Sequence, residues 1–357
     1  MADIAARVDI SSAALYRHFA GKQDLLRQTL LQGLDSTLQR LEHAQGSVLD
    51  ELVDTALEFR GLPRLWQSEA RSLADRDRMA VMMRVLRLNL LLRREIAELR
   101  PDLSRANVEF LAWCALSVAT SPSHYSLRLP PGTFATHLRA IIGEVVRAPV
   151  PEFTANRERA QQHWAEHVLV GPMEGDLRRE RLVVAAARLF AARGYSAVAM
   201  EDIGAAAGIS GPSVYHHFAG KTELLAEVLD RNEQWIRLST ARALMVGETP
   251  AQTLQLLLDS YVRFAVEQPA FATTSVTEAF HLPAPQGTQF RSAVRDAVVG
   301  WSRLLNVAHP ELDPDAARIR VQAVTAIVLD AVRNGRVDRR VDIVDALLSV
   351  CNPPIVG

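Results

Sequence analysis

Apolar residues recur along this chain every three to four positions, the period of an α-helix that buries one face. The stretch 178–193, RRERLVVAAARLFAAR, is the clearest case: Leu182, Ala185, Ala186, Leu189 and Phe190 form one stripe, and Gly194 then closes the helix. Alternating β-branched runs, the signature of half-buried strands, are missing. The pattern therefore predicts an all-α fold. After Gly194 it predicts short helices over 201–207 and 212–218, a turn at Gly208–Ser210 between them, and a long helix from Thr222. Pro212 suits a first helical turn, and Ser210 is placed to cap it. Larger helices are expected over 48–60, 77–99, 103–119, 133–147, 250–267, 289–307, 314–333 and 341–350, with prolines between them.

The same short-helix pattern occurs earlier in the chain. Shifting the sequence by 199 positions aligns Ala2–Leu26 with Glu201–Leu225 without a gap, and 13 of 25 positions are identical, among them Tyr16/Tyr215, His18/His217 and Phe19/Phe218. The first copy predicts helices over 2–7 and 12–19, then a long one to about Glu42. Two copies at so long a spacing indicate a duplicated domain rather than a solenoid. A length of 357 residues fits that split. The expected division is a first head at 1–45, a helical region at 46–148, a connector at 149–172, a second head at 173–232 and a second helical region at 233–357.

The first copy has no counterpart of the helix at 178–193. Its Ile4, Ile10, Leu15 and Phe19 would then lack the apolar face that covers their equivalents. Two readings stand: further residues upstream of Met1, which is preferred, or an impaired first head.

Two short helices joined by a tight turn, the second with a polar face, describe a helix-turn-helix. Val214 and Phe218 lie four residues apart on one face and should point inward. Ser213, Tyr215, His216 and His217 then project elsewhere, able to meet bases or phosphates. Lys221, at the start of the next helix, can meet a phosphate.

The stretch LFAARGYSAVAMEDIGAAAGISGPSVYHHFAGKTELL closely resembles the DNA-binding domain of TetR-type transcriptional regulators, strongly over about 178–230 and in shortened form over 2–30. The resemblance implies a helical protein with a three-helix DNA-reading head and a larger domain for dimerising and sensing. It assigns DNA contact to Ser210, Gly211, Pro212, Ser213, Tyr215, His217 and Lys221, with His216 beside them. In the first copy the matching positions are Ser11, Ser12, Ala13, Ala14, Tyr16, His18 and Lys22, with Arg17 beside them. It further implies double-stranded DNA and a small-molecule effector as partners, and a ligand-released repressor. Because one chain carries two copies, it is expected to fold as its own pseudo-dimer, with a homodimer of chains as the other possibility. The ligand pocket is not assigned. The alternative is a ligand-binding or interaction protein of the same ancestry that has lost DNA binding.

Composition adds limits. Formal net charge is −1, so DNA binding would rest on local patches. The two cysteines, Cys114 and Cys351, fit neither a disulfide framework nor a metal cluster. With no signal-peptide pattern and no long apolar run, a cytoplasmic protein without a membrane span is expected. No metal, cofactor or enzymatic constellation is expected. His163 and His167 have the spacing of metal ligands, but a solvated helix accounts for them better. The arginines of 82–95, MMRVLRLNLLLRRE, read as a solvated helix face before an anion site. Trp66, Trp113, Phe264, Phe280 and Trp301 read as core before pocket lining.

Overall fold

The computed structural model describes residues 1–70, 73–125, 127, 129–153, 174–333 and 343–355. The possible short helix at 158–167, with His163 and His167, lies outside them. Every regular element among the described residues is helical. The chain divides into two compact units, Met1–Ile142 and Gly143–Gly357, and most of the expected connector at 149–172 lies outside the described residues.

The first unit opens with α1 (Ala2–Arg7), α2 (Ser12–His18) and α3 (Lys22–Glu42). It continues with α4 (Val48–Glu58), α5 (Leu62–Ser68), α6 (Asp75–Leu99), α7 (Arg105–Thr120) and α8 (Pro131–Arg147), the helix in which the unit ends. Helix α6 packs between α3 and α7, burying Val81, Val85, Leu88, Leu92 and Ile96. These positions repeat at helical spacing, so one face of α6 is apolar and packed. Ser47 and Ser104 cap α4 and α7 by accepting from the N–H groups of Asp50 and Asn107. Arg60 ties down the chain between α7 and α8, donating to the carbonyls of Pro122, Tyr125 and Leu127 at 2.7, 2.8 and 2.9 Å. Three of the arginines in 82–95 are held by acids of the same unit: Arg84 by Asp35, Arg87 by Glu42 and Arg93 by Glu109.

The second unit begins its head with α9 (Glu174–Arg193) and a 3-10 turn at Tyr195–Ala197. Then come α10 (Met200–Ala207), α11 (Gly211–Val214) and α12 (Lys221–Val246). Its larger part holds α13 (Pro250–Glu267), α14 (Pro269–Thr277), a 3-10 turn at Ala279–His281, α15 (Gln286–Ala308), α16 (Pro314–Arg333) and α17 (Ile343–Ile355). The stripe read on α9 is the core of the head: Leu182, Ala186 and Phe190 are fully buried, and Leu189 is half-buried. Phe264 and Trp301 are packed against rings, Phe264 stacked on Trp235 at 4.9 Å and Trp301 edge-on to Tyr261 at 6.0 Å, whereas Phe280 is exposed.

Helices α5 and α14 go beyond the sequence expectation, and α11 is shorter than it. In the segment expected as one helix over 212–218 the α-helix ends at Val214, and residues 215–217 form a turn. Helix α2, its counterpart, runs its full seven residues.

The two heads differ in burial at matched positions. Ile203 and Phe218 are 0% and 1% exposed, while Ile4 and Phe19 are half-buried and Ile10 is 46% exposed. Truncating a fully buried Phe costs about 3–5 kcal/mol. Phe218→Ala should therefore unfold the second head, and Phe19→Ala should cost the first head distinctly less. Amide hydrogen exchange, read separately for residues 2–26 and 201–225, measures both; equal losses of protection would contradict the difference in burial.

A second prediction concerns acid. Asp24 opens α3 and is held at about 2, below its ordinary 3.8, by a hydrogen bond from Arg27, then by the N–H of Ala20 and the amide of Gln28. A carboxyl whose folded value is depressed contributes stability that is complete above its unfolded value and is lost as pH falls through the folded one. The start of α3 should therefore loosen between about pH 4 and pH 2. Asp24→Asn should remove that step from the exchange profile of α3, and a profile identical to the unmodified chain would refute the assignment.

Candidate nucleic-acid interface

Each head builds its reading element from a tight turn. In the second head α10 ends at Gly208, in the left-handed region at φ 66°, and Ile209 donates back to the carbonyl of Gly204 at 2.8 Å. In the first head the matched residue is Asp9, also left-handed at φ 55°, and Ile10 donates to the carbonyl of Ala5 at 3.1 Å. Aspartate visits this region at a cost that glycine escapes. Gly204 has a second reason to be glycine. A Cβ there would lie 2.8 Å from Val214 and 2.9 Å from the carbonyl oxygen of Ile209, so α10 and α11 approach each other over a bare backbone. The first head carries Ala5 at this position, 1% exposed.

Beyond the turn the two reading helices start differently. Ser11 accepts from the N–H of Ala14 at 3.1 Å, an ordinary N-cap. Ser210 instead pairs its hydroxyl with that of Ser213 at 2.8 Å, an internal link between two residues assigned to the reading face. Val214 is fully buried and Leu15 nearly so, which fixes the rotation of each helix. Opposite them, Ser210, Pro212, Tyr215 and His216 are exposed, and Gly211, Ser213 and His217 are half-buried. In the first head Ser11, Ala13, Tyr16, Arg17 and His18 are exposed, with Ser12 and Ala14 half-buried. Tyr16 and Tyr215, at 56% and 52% exposed, are large rings left in solvent on matched faces. All of these candidates thus fall on the outward side of their own helix-turn-helix.

The loop after each reading helix is closed by the same device. Glu223 accepts from the N–H of Ala219 at 2.6 Å, and Asp24 from that of Ala20 at 3.0 Å. The two lysines in these loops part ways. Lys22 is exposed. Lys221 is half-buried and donates to the carbonyls of Tyr195 and Val198, both at 2.8 Å, with its ammonium 4.4 Å from the Tyr195 ring centroid. Two of its three N–H groups therefore serve the chain itself.

Behind the second reading element lies a charged support. Arg179 and Glu180 of α9 pair with Glu227 and Arg231 of α12 at 2.7 and 2.5 Å, and Arg231 also reaches Glu227 at 3.2 Å. Hydrogen bonding from Arg179, ahead of the opposing burial, holds the Glu227 carboxyl below the usual carboxylate range. The Arg179 guanidinium also lies 4.7 Å from the centroid of the Phe218 ring. Sequence reasoning missed this support and the bonds of Lys221, because each joins residues 23–51 positions apart with no local pattern to mark them.

Among the described residues no group of three or more acidic, His or Cys side chains is placed to hold a metal ion. No helix among them is long and apolar enough to cross a membrane.

Comparison with known proteins agrees with this geometry. Residues 1–29 and 182–228 match the pattern of "Bacterial regulatory proteins, tetR family". The chain is 28% identical over 158 residues to the HTH-type transcriptional activator FasR of Mycolicibacterium smegmatis, covering 44% of this chain and 72% of FasR. It is 31% identical over 103 residues to the HTH-type transcriptional repressor KstR of the same organism, covering 29% of this chain and half of KstR. The solved structure of the ketosteroid regulator KstR2 of Mycobacterium tuberculosis aligns with 28% identity and a TM-score of 0.40, over 44% of this chain and 82% of that one. Two stretches of this chain carry the tetR-family DNA-binding pattern, each folded as a helix-turn-helix, and the relatives it resembles are regulators of transcription, so the chain is similar to DNA-binding transcriptional regulators of that family.

Proposed function

We propose that this regulator is a ligand-released repressor that acts as a single-chain pseudo-dimer and reads an operator with unlike half-sites. The observation that carries this reading is the presence of one folded helix-turn-helix in each of the two compact units. Paired identical heads read palindromes because each meets the same bases about 34–36 Å apart. Here the candidate faces differ at Ala13/Pro212, Ala14/Ser213 and Arg17/His216. Arginine favours the O6 and N7 of guanine, while Ser and His are less committed. The internal partner surfaces proposed are the late helices of each unit, α7 with α8 and α16 with α17. A small molecule bound in the larger helical part would favour a spacing of the heads that no longer fits adjacent grooves. The candidate DNA contacts are those named on the two reading faces and their loops.

Selection from a random DNA pool should yield an asymmetric site bound by one chain. A perfect palindrome bound by two chains would overturn the proposal. Absence of salt-dependent binding would favour a protein of this ancestry that no longer binds DNA, a reading the exposed Ile10 of the first head favours.

The lysines give a finer prediction. Removing one cation from a phosphate lowers the slope of log K against log salt by about 0.9. Lys22→Ala should lower it by about that much and leave the fold unchanged. Lys221→Ala should in addition loosen residues 195–198, since it strands two carbonyls. Titrations at several salt concentrations, with hydrogen exchange of both variants, test this. A Lys221→Ala chain with unaltered protection at 195–198 would show that its hydrogen bonds carry no structural weight.

A further inference from the structure

The loop that joins α9 to α10 in the second head is gripped from two sides. Gly194, at φ 83°, turns the chain out of α9, so the N–H of Tyr195 has no acceptor within that helix. Its acceptor comes from the larger part of the same unit. The carboxylate of Glu278, in the connection after α14, accepts from that N–H at 2.9 Å, and Glu278 is fully buried. His281, three residues on, stacks its ring on Tyr195 with centroids 4.8 Å apart, and its Nε2 lies 3.6 Å from the Glu278 carboxylate. On the other side Lys221 holds the carbonyls of Tyr195 and Val198, and the Tyr195 hydroxyl meets that of Thr222 at 2.9 Å. Lys221 and Thr222 open α12, three residues beyond the buried Phe218 that anchors the reading element.

We infer that Glu278 is a positioning residue for DNA binding: acting through Tyr195, it sets the orientation of the second reading head on the helical region behind it. The inference rests on the DNA-binding reading for its affinity consequence only.

A buried carboxylate is costly unless it is hydrogen-bonded, so the place of Glu278 in the connection after α14 has to be matched by partners such as this N–H. The carboxylate and the Lys221 ammonium also act on one residue from opposite ends. Glu278 accepts from the N–H of Tyr195 and Lys221 donates to its carbonyl, so the peptides on either side of Tyr195 cannot rotate without losing a charge-assisted bond. Helix α9 also packs along α14. The bond from the Thr274 hydroxyl to the carbonyl of Ala187, at 3.1 Å, lies two turns back along α9 and fixes position there. Apolar packing of α9 on α14 carries no directional preference of its own, whereas the hydrogen bond at the loop does. The head is thus packed on the helical region along α9 and through α12, which contacts α13, α14 and α15, and is tied at Tyr195 by a bond from the part of the unit that would hold an effector.

Spin labels separate latch from scaffold. Labels at Glu201→Cys, exposed in the head, and Arg295→Cys, exposed on α15, report the angle between the two parts without DNA. Glu278→Met fills the same space and has no acceptor for the Tyr195 N–H; Glu278→Gln keeps an acceptor oxygen and loses the charge. The expected result is a broadened distance distribution in Glu278→Met, with operator affinity down about tenfold or more as the fraction of chains with the head in the binding orientation falls. Glu278→Gln should keep a narrow distribution and affinity within about threefold of the unmodified chain. An unbroadened Glu278→Met chain, or equal broadening in both variants, would overturn the inference. Should Glu278→Met fail to fold, Glu278→Ala, which also removes the acceptor of the Tyr195 N–H, decides it: broadening supports the latch and an unchanged distribution refutes it. A chain whose unmodified form binds no DNA at all would remove the DNA-binding reading, while the distances would still decide whether Glu278 sets the head.

Discussion

A helix of four to seven residues cannot hold itself in water, because its first turn fixes several dihedrals for a single hydrogen bond. The whole reading apparatus of this protein depends on escaping that constraint. In the second head the escape is Val214 and Phe218, both essentially without exposed surface. They press a four-residue helix against the rest of the head, and the left-handed Gly208 delivers the chain to that helix at the right angle. Remove the apolar anchor and the outward face of serines, tyrosine and histidines has no fixed geometry to present. The side chains proposed to meet DNA are thus positioned by ones that cannot touch it.

The two heads show what the same few residues do in different surroundings. Each follows its first short helix with a left-handed residue in the turn, returns the next N–H to the matched carbonyl and closes its second loop with an acidic side chain four positions on. That shared skeleton tolerates Asp9 for Gly208, Ala5 for Gly204 and Asp24 for Glu223. The environment behind it is not repeated. Helix α9 and the loop at Tyr195 bury Ile203 and Phe218 and occupy Lys221; the first head shows Ile4 and Phe19 half-buried and Lys22 in solvent. Identity of sequence at Lys22 and Lys221 therefore does not give identity of role.

Much of this fold was legible in the sequence because helices with one buried face write their period directly into it. Pro250–Glu267 and Pro314–Arg333 end where their prolines, charges and apolar spacing place them. Helices α5 and α14 were not legible. LPRLWQS is too short to show a period, and PAFATTSVT is rich in Thr, Ser and Val, which lose side-chain freedom in a helix or compete for its backbone. Packing overrides those preferences: α14 buries Phe271 and Ala272, and its Ser275 and Thr277 hydroxyls bond back to carbonyls of their own helix. The site divides along the same line. Which side chains face outward follows from Val214 and Phe218 at four-residue spacing, a local fact. That Lys221 is spent on Tyr195 and Val198, and that Glu278 reaches across 83 positions to the same loop, are tertiary facts with no local signature.

Tertiary ties of this kind decide how a head can move on the helices behind it. A head secured only by apolar contact along one helix has no directional bond that fixes its rotation. A head secured by a hydrogen bond to a buried carboxylate has two distinct conditions, bonded and unbonded, separated by the cost of stranding a donor. A ligand can shift such an equilibrium only by as much as it distinguishes the two conditions. Glu278 sits in the short connection that follows α14, between a helix whose hydroxyls turn inward and a 3-10 turn that carries His281. A displacement of that connection by about an ångström would break the bond at Tyr195. If Glu278 positions the head as inferred above, a small movement of that connection would reach the reading face as the loss of one bond.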